Sequence, residues 1–334
     1  MPPCSISRLA KQILELIYAT LNEAYKMSKL NSSVKNVSLL CMVARNLFDL
    51  YASVVPTFHA SSLHEMPFLS ALAHNDFAYL AFNCLTLTHQ YKEMFSSLRQ
   101  KSSSTKSEPK LSYFDLDELV SSFSCLDLIP KLCSIGFDLL HKQFEKQTQN
   151  LMQFLNEDTN GLKDLSEGHN YELFKRALEK CKAQLNSISS IWHGVLPECL
   201  YNKIMGQLLE LICNDLLKSC IKLEDIASDD ASCLHSAFAV IEDYVYGFYS
   251  KKDGLELVEM KAIGELNASK HIKSWHRFKY MLKLLKANLQ EIVDLWSEGK
   301  GPLAMHYEAD EVRHLIKALF MITERRSAAL AKIY

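Results

Sequence analysis

"FLSALAHNDFAYLAFNCLTLTHQYKEMFSSL", residues 68–98, places apolar side chains at Leu69, Ala73, Phe77, Leu80, Cys84, Leu87, Tyr91, Phe95 and Leu98. Steps of three and four put all of them on one face of an α-helix, whereas a half-buried strand would alternate at every second residue. The stripe continues for about eight turns at 3.6 residues per turn, long for a globular helix. A chain that spends so many residues on one helix is predicted to be all-α, an elongated stack of long antiparallel helices.

Just upstream, "PTFHASSLHEMPFLSALAHND" (residues 56–76) gathers His59, His64 and His74 with Glu65 and Asp76. Its "HEMPF" begins like the zinc-protease signature, but Phe68 stands where the second histidine belongs and Pro67 lies inside the turn. A metal needs three or four ligands aimed inward, and nothing in this spacing secures that. The competing reading is a joint between helices. Pro56 ends one helix, Ser62 and Glu65 have capping-box spacing for a one-turn segment, and Pro67 takes the first position of the long helix. A metal-dependent hydrolase built on these histidines is therefore kept only as a remote alternative.

The same periodicity recurs along the chain. Ile6, Leu9, Ile13, Ile17, Leu21 and Ala24 mark one helix, and Val37, Leu40, Cys41, Ala44, Leu47, Phe48 and Tyr51 a second. After "QKSSSTKSEPK" (100–110), a polar Ser-rich linker, Asp115 and Glu118 have capping-box spacing, and Pro130 is expected to break or kink the helical stretch around it. Further stripes run from Leu132 to Leu155, from Leu173 to Trp192, from Leu200 to Ile212 and from Leu234 to Val245, with a tight joint at Gly194 and Pro197. Residues 251–270, "KKDGLELVEMKAIGELNASK", read as loop with a helical turn. Trp275, Phe278, Leu282, Leu285, Leu289, Ile292 and Trp296 form one stripe that "SEGKGP" stops. One final helix comes last, acidic at its start (Glu308, Asp310, Glu311) and basic towards its end (Arg325, Arg326, Lys332), as the macrodipole prefers. The predicted organisation is a helical segment 1–100, the linker 101–111, a helical segment 112–227 and a C-terminal helical segment 228–334.

Composition narrows the function. The chain has 10 Gly and 8 Pro in 334 residues, so turns are few. With 37 basic and 39 acidic residues spread evenly, it shows no basic stripe of the kind that tracks phosphates, and nucleic acid is a poor partner. Ten cysteines include no C-x-x-C pair, and Cys213 with Cys220 fall on one helical face as small apolar residues. Lys11 and Glu15 interrupt the first apolar run, so it offers no signal-peptide core, and "FAYLAFNCLTLTHQY" is too short and polar to span a bilayer. These features predict a cytosolic protein, peripheral to membranes at most. No G-x-S-x-G elbow, G-x-G-x-x-G fingerprint or kinase motif occurs, and "SEGKGPLA" lacks phosphate-loop spacing. In "TERRSAALAKI" small residues alternate with bidentate donors, which suits packing against another helix. Arg313, Lys317, Glu324, Arg325, Arg326 and Lys332 are accordingly the candidate partner-binding residues; there is no candidate catalytic, cofactor or metal residue.

Six segments, in order, resemble the C-terminal half of the Zeste-White ten family: "LYASVVPTFH", "HNDFAYLAFNCLTLTHQY", "LPECLYNKIMGQLLE", "LEDIA", "LWSEGKGPLA" and "LIKALFMITERRSAALAKI". The resemblance implies a helical rod of the tethering-complex type without enzymatic activity or cofactor. It implies Rod-type and Zwilch partners at kinetochores, with dynein recruited for the spindle checkpoint. It also implies neuroblastoma-amplified-type and Rint-type tether partners on the cytosolic face of the endoplasmic reticulum, for capture of Golgi-derived vesicles. Family chains are about twice this long, so the N-terminal half that contacts the Rint-type subunit is expected to be missing. For residues 56–76 the resemblance implies an interhelical joint. An exocyst-like tether acting in secretion alone shares the same periodicity and stands as the alternative.

Overall fold

The computed structural model describes residues 5–29, 34–103, 124–157, 162–250 and 257–334; these are helices and turns, with no strand among them. The chain divides into two compact units, residues 1–145 with 191–198, and residues 146–190 with 199–334. The Ser-rich stretch beyond Ser103 and the Asp115–Glu118 pair lie outside the described residues.

In the first unit, Ser7 caps α1 (Arg8–Lys29), its hydroxyl accepting the Ala10 N–H at 3.1 Å. The helix buries Ala10, Leu14, Ile17, Leu21 and Ala24, while Leu9, placed by the spacing on the core face, is 50% exposed. In α2 (Val34–Phe58) Pro56 does not end the helix but sits inside its last turn, where the missing N–H costs a single bond at an end that frays anyway. A six-residue α3 (Ala60–Glu65) comes next. Its N-cap is His59, so Ser62 and Glu65 form no capping box, and the Ser62 carbonyl instead accepts the Met66 N–H at 2.9 Å. Pro67 opens α4 (Pro67–Ser103), as predicted, and Ala73, Phe77, Leu80, Cys84, Leu87 and Tyr91 form its buried face. In α5 (Leu128–Glu157) Pro130 is the third residue; a first-turn N–H has no intrahelical partner, so the proline starts this helix rather than kinking it. α4 and α5 touch at Gly136, where an added Cβ would stand 2.9 Å from the Phe77 Cβ.

The second unit takes α5 from Lys146, most of α6 (Gly168–Trp192), and then α7 (Glu198–Ile221), α8 (Ser228–Tyr249) and α9 (Leu257–His271). Between α6 and α7, the tight joint falls at Gly194, in the left-handed region at φ 79°. Where a loop with a helical turn was expected at 251–270, the described part, from Leu257, is the fifteen-residue α9. It has no ordinary apolar stripe because two unusual contacts hold it. Gly264 lies against the Tyr246 backbone so closely that a Cβ would come 2.9 Å from its Cα. Its neighbour Glu265 accepts hydrogen bonds from Tyr246 Oη (2.9 Å), Trp275 Nε1 (3.1 Å) and Lys279 Nζ (2.9 Å).

The apolar stripe at 275–296 is two helices, α10 (Trp275–Leu284) and α11 (Leu289–Trp296). Asn288 and Glu291 make a reciprocal capping box that starts the second, with Glu291 N–H to Asn288 Oδ1 at 3.0 Å and Asn288 N–H to Glu291 Oε2 at 2.8 Å. "SEGKGP" then stops α11 as expected, with Ser297, Glu298 and Gly299 all at positive φ. The final helix is likewise two, α12 (Ala309–Leu319) and α13 (Glu324–Leu330), separated by an extended Phe320. Thr323 caps α13 through the Arg326 N–H at 3.2 Å, so Arg325 and Arg326 occupy a first turn, not the basic end of a long helix.

Candidate partner-binding surface

The residues that suggested a metal are held apart. His59 and His64 are exposed, and His74 Nδ1 faces the Gly136 carbonyl at 3.1 Å. Burial lowers the His74 pKa, which keeps the ring neutral. The Asp76 carboxylate accepts the Ser7 N–H at 2.7 Å and Tyr51 Oη at 2.9 Å. Between them, Asn75 donates to the carbonyls of Ser5 (3.0 Å) and Val195 (2.7 Å). Trp192 Nε1 reaches the Pro67 carbonyl at 3.0 Å. Three consecutive side chains thus tie α4 to the start of α1, to α2, to α5 and to the joint at 191–198. The opening cluster is an interhelical joint, and no group of three or more metal-ligating side chains occurs among the described residues.

Cys41, Cys84, Cys125, Cys181, Cys213 and Cys220 are buried thiols, as Cys213 and Cys220 were expected to be. Burial pushes the Cys41, Cys181 and Cys220 thiols up to about 12, so they are unreactive core residues.

The six candidate partner residues divide at the C-terminal end. α12 is anchored below: His314 Nε2 faces the Leu223 carbonyl at 3.0 Å, and the Ile226 N–H donates to the Ala318 carbonyl at 2.9 Å. Arg313 pairs with Asp310 one turn earlier at 3.0 Å. Arg326 Nη1 donates to the carbonyls of Lys317 (3.2 Å) and Phe320 (2.7 Å), satisfying the open end of α12, so this arginine is a structural clasp. Glu324, in the first turn of α13, complements that helix's positive end. Arg325 and Lys332 instead rim a groove of about 620 Å³ whose floor is Leu289, Val293, Phe320, Ala328 and Ala329, with Asn288 and Gln290 at its edge. Neither cation has an ion-pair partner among the described residues.

Beside the groove, Met321 and Ile322 are 88% and 84% exposed. The apolar floor and these two side chains escaped the sequence reading; the one available signal was "FMIT", an apolar run without a helical face to join. A larger cleft of about 840 Å³ lies elsewhere in this unit, but its walls mix Lys279, Lys283 and Lys286 with Glu242, Glu291 and Asp294 and favour neither charge.

Comparison with known proteins agrees over the whole length. Residues 176–333 match the family described as ZW10 C-terminal helical domain, and residues 1–107 the family described as Centromere/kinetochore protein zw10, C-terminal. The centromere/kinetochore protein zw10 homolog of Rattus norvegicus is 32% identical over 100% of this chain and 39% of its own length. The Drosophila melanogaster centromere/kinetochore protein zw10 is 24% identical over 99% of this chain and 39% of its own, and the Arabidopsis thaliana homolog 22% over 99% and 40%. The chain therefore spans about two-fifths of the length of the curated relatives it matches. Among solved structures, the C-terminal domain of the exocyst subunit Sec6p superposes with a TM-score of 0.55 at 8% identity, covering 100% of this chain and 82% of that one, which shows a shared helical fold. On these matches the chain belongs to the ZW10 family, to whose members' C-terminal part it corresponds.

Proposed function

We propose that this chain is a non-enzymatic scaffold that carries helical partner subunits at kinetochores and in vesicle tethering between the Golgi and the endoplasmic reticulum. The observation that carries the reading is the family match along the whole chain, to relatives named for the centromere and kinetochore, on a fold shared with a tethering subunit. In this reading Rod-type and neuroblastoma-amplified-type subunits dock at the C-terminal groove. Zwilch and the Rint-type subunit join the same assemblies, and dynein is recruited indirectly.

Arg325 and Lys332 are the residues placed to meet carboxylates on such a partner, while Arg313 and Arg326 are already engaged. The test is capture of the Rod-type subunit by immobilised chain, with Arg325→Glu/Lys332→Glu against wild type. A loss of ~10-fold or more in affinity is expected; undiminished capture removes the groove from the interface. An exocyst-like role in secretion alone is favoured by the Sec6p likeness, and absence of the labelled protein from mitotic kinetochores would select it.

A further inference from the structure

Thiols from three segments share the core of the first unit. Cys41 of α2, Cys84 of α4 and Cys125, just ahead of α5, are each no more than 1% exposed and belong to one apolar cluster. Cys125 is held against the turn of α4 that carries Cys84. Its N–H donates to Thr88 Oγ1 at 3.2 Å, and that hydroxyl donates to the Cys84 carbonyl at 2.7 Å. Cys84 and Thr88, four residues apart, lie on one face of α4, and the Cys84 S–H donates to Cys125 Sγ. From α2, Arg45 donates to the Ser124 carbonyl and to Asp127 Oδ1 (2.8 Å), clamping the chain on both sides of Cys125.

Packing alone needs none of this polarity. Burial by itself raises a thiol's pKa, as it does for Cys181 and Cys220. Cys125 is just as buried yet lies below its ordinary value, because the Cys84 S–H and the Arg45 guanidinium favour its thiolate against burial and Asp127. Cys84, the donor, is held above its own. One sulfur is thus prepared to attack and its neighbour to resolve.

We propose that Cys84 and Cys125 are a redox pair, which peroxide closes into a disulfide between α4 and the lead-in to α5. The Cys125 thiolate attacks one oxygen of hydrogen peroxide. The S–O bond forms as the O–O bond breaks, and the departing hydroxide takes up the proton Cys125 gave up, leaving as water. Cys84 Sγ then attacks the sulfur of the resulting sulfenic acid; the S–O bond breaks, and the hydroxide leaves with the Cys84 proton as a second water. Two thiols lose two electrons, and one peroxide becomes two waters. Peroxide enters by local opening at 124–127, where Leu126 and Asp127 are already exposed.

Peptide mapping of the full 334-residue chain tests this. Reduced protein, freed of reductant, is treated stepwise with hydrogen peroxide in native buffer, alkylated and digested. A linked Cys84–Cys125 peptide, two hydrogens lighter and restored by dithiothreitol, is expected at a dose that leaves the equally buried Cys181 and Cys213 reduced. Cys84→Ser keeps a donor beside Cys125 but removes the resolving sulfur, so Cys125 should stop at a sulfenic acid that dimedone labels. Should that variant lower the thermal midpoint, the wild-type map decides alone. Thiols at 84 and 125 that stay reduced at every dose, or that oxidise only together with Cys181 and Cys213, overturn the proposal. A Cys41–Cys125 disulfide does so too, as does a Cys84–Cys125 link that forms only in urea, or a stably folded Cys84→Ser chain that takes no dimedone at Cys125.

Discussion

Each unit turns on a carboxylate that gathers donors from other segments, and the two carboxylates answer burial in opposite ways. Asp76, 3% exposed, receives the Ser7 N–H and Tyr51 Oη, both neutral, and burial raises its pKa above 3.8 against those bonds and the more distant Lys11. Glu265 receives Tyr246 Oη and Trp275 Nε1 but also Lys279 Nζ, and although burial pushes its pKa up, these bonds together hold it below 4.5. Both anions have their hydrogen bonds, so satisfaction alone does not set the sign. A formal cation and shallower burial do. One hub is tolerated as an anion; the other is stabilised as one.

Truncation breaks the comparison most violently. Glu265→Ala leaves Trp275 Nε1 and the Lys279 ammonium without their acceptor and should cost about 3 kcal/mol in denaturant unfolding. Asp76→Ala strands the Ser7 N–H and Tyr51 Oη and should cost ~2 kcal/mol. Carboxamides then sharpen it. Glu265→Gln keeps the shape but gives up the charge facing Lys279, for ~1.5 kcal/mol, whereas Asp76→Asn removes a charge that burial already opposes and should cost under ~1 kcal/mol. Equal costs for the two carboxamides would show that the cation is not what separates the hubs.

Long helices were legible because their apolar residues repeat with the helix itself, as Phe77, Leu80, Cys84 and Leu87 do, all fully buried. Breaks were less so. Leu282, Leu285, Leu289 and Ile292 stay in step across the end of α10, and only the Asn288–Glu291 box reveals that a new helix begins. The apolar period outweighed a local cap that was readable in the sequence. α9 was hidden for another reason: it packs through a missing side chain at Gly264 and a polar one at Glu265, and neither feeds an apolar pattern. The histidine-rich stretch misled because His74, Asn75 and Asp76 bind mainly backbone groups, the Gly136, Ser5 and Val195 carbonyls and the Ser7 N–H, which side-chain spacing cannot register. At the C-terminal end the cations were visible, but one wall of their groove comes from α11, more than 30 residues before Arg325.

The finest separation of the two hubs is their pH response. Glu265 has a folded pKa below its unfolded 4.5, so its contribution is complete above pH 4.5 and is lost as pH falls through the folded value. For Asp76 the folded pKa lies above its unfolded 3.8, so its contribution is present below pH 3.8 and is lost as pH rises through the folded value. Acidification from pH 6 towards 3 therefore withdraws the first and restores the second. Glu265→Gln should make the acid fall in stability shallower, and Asp76→Asn should make it steeper. Urea midpoints at half-unit pH steps for wild type and both variants read this directly. Wild-type slopes common to all three would mean that neither carboxylate titrates differently on folding. Shallower falls in both would mean that Asp76, like Glu265, is stabilised as an anion despite having only neutral donors.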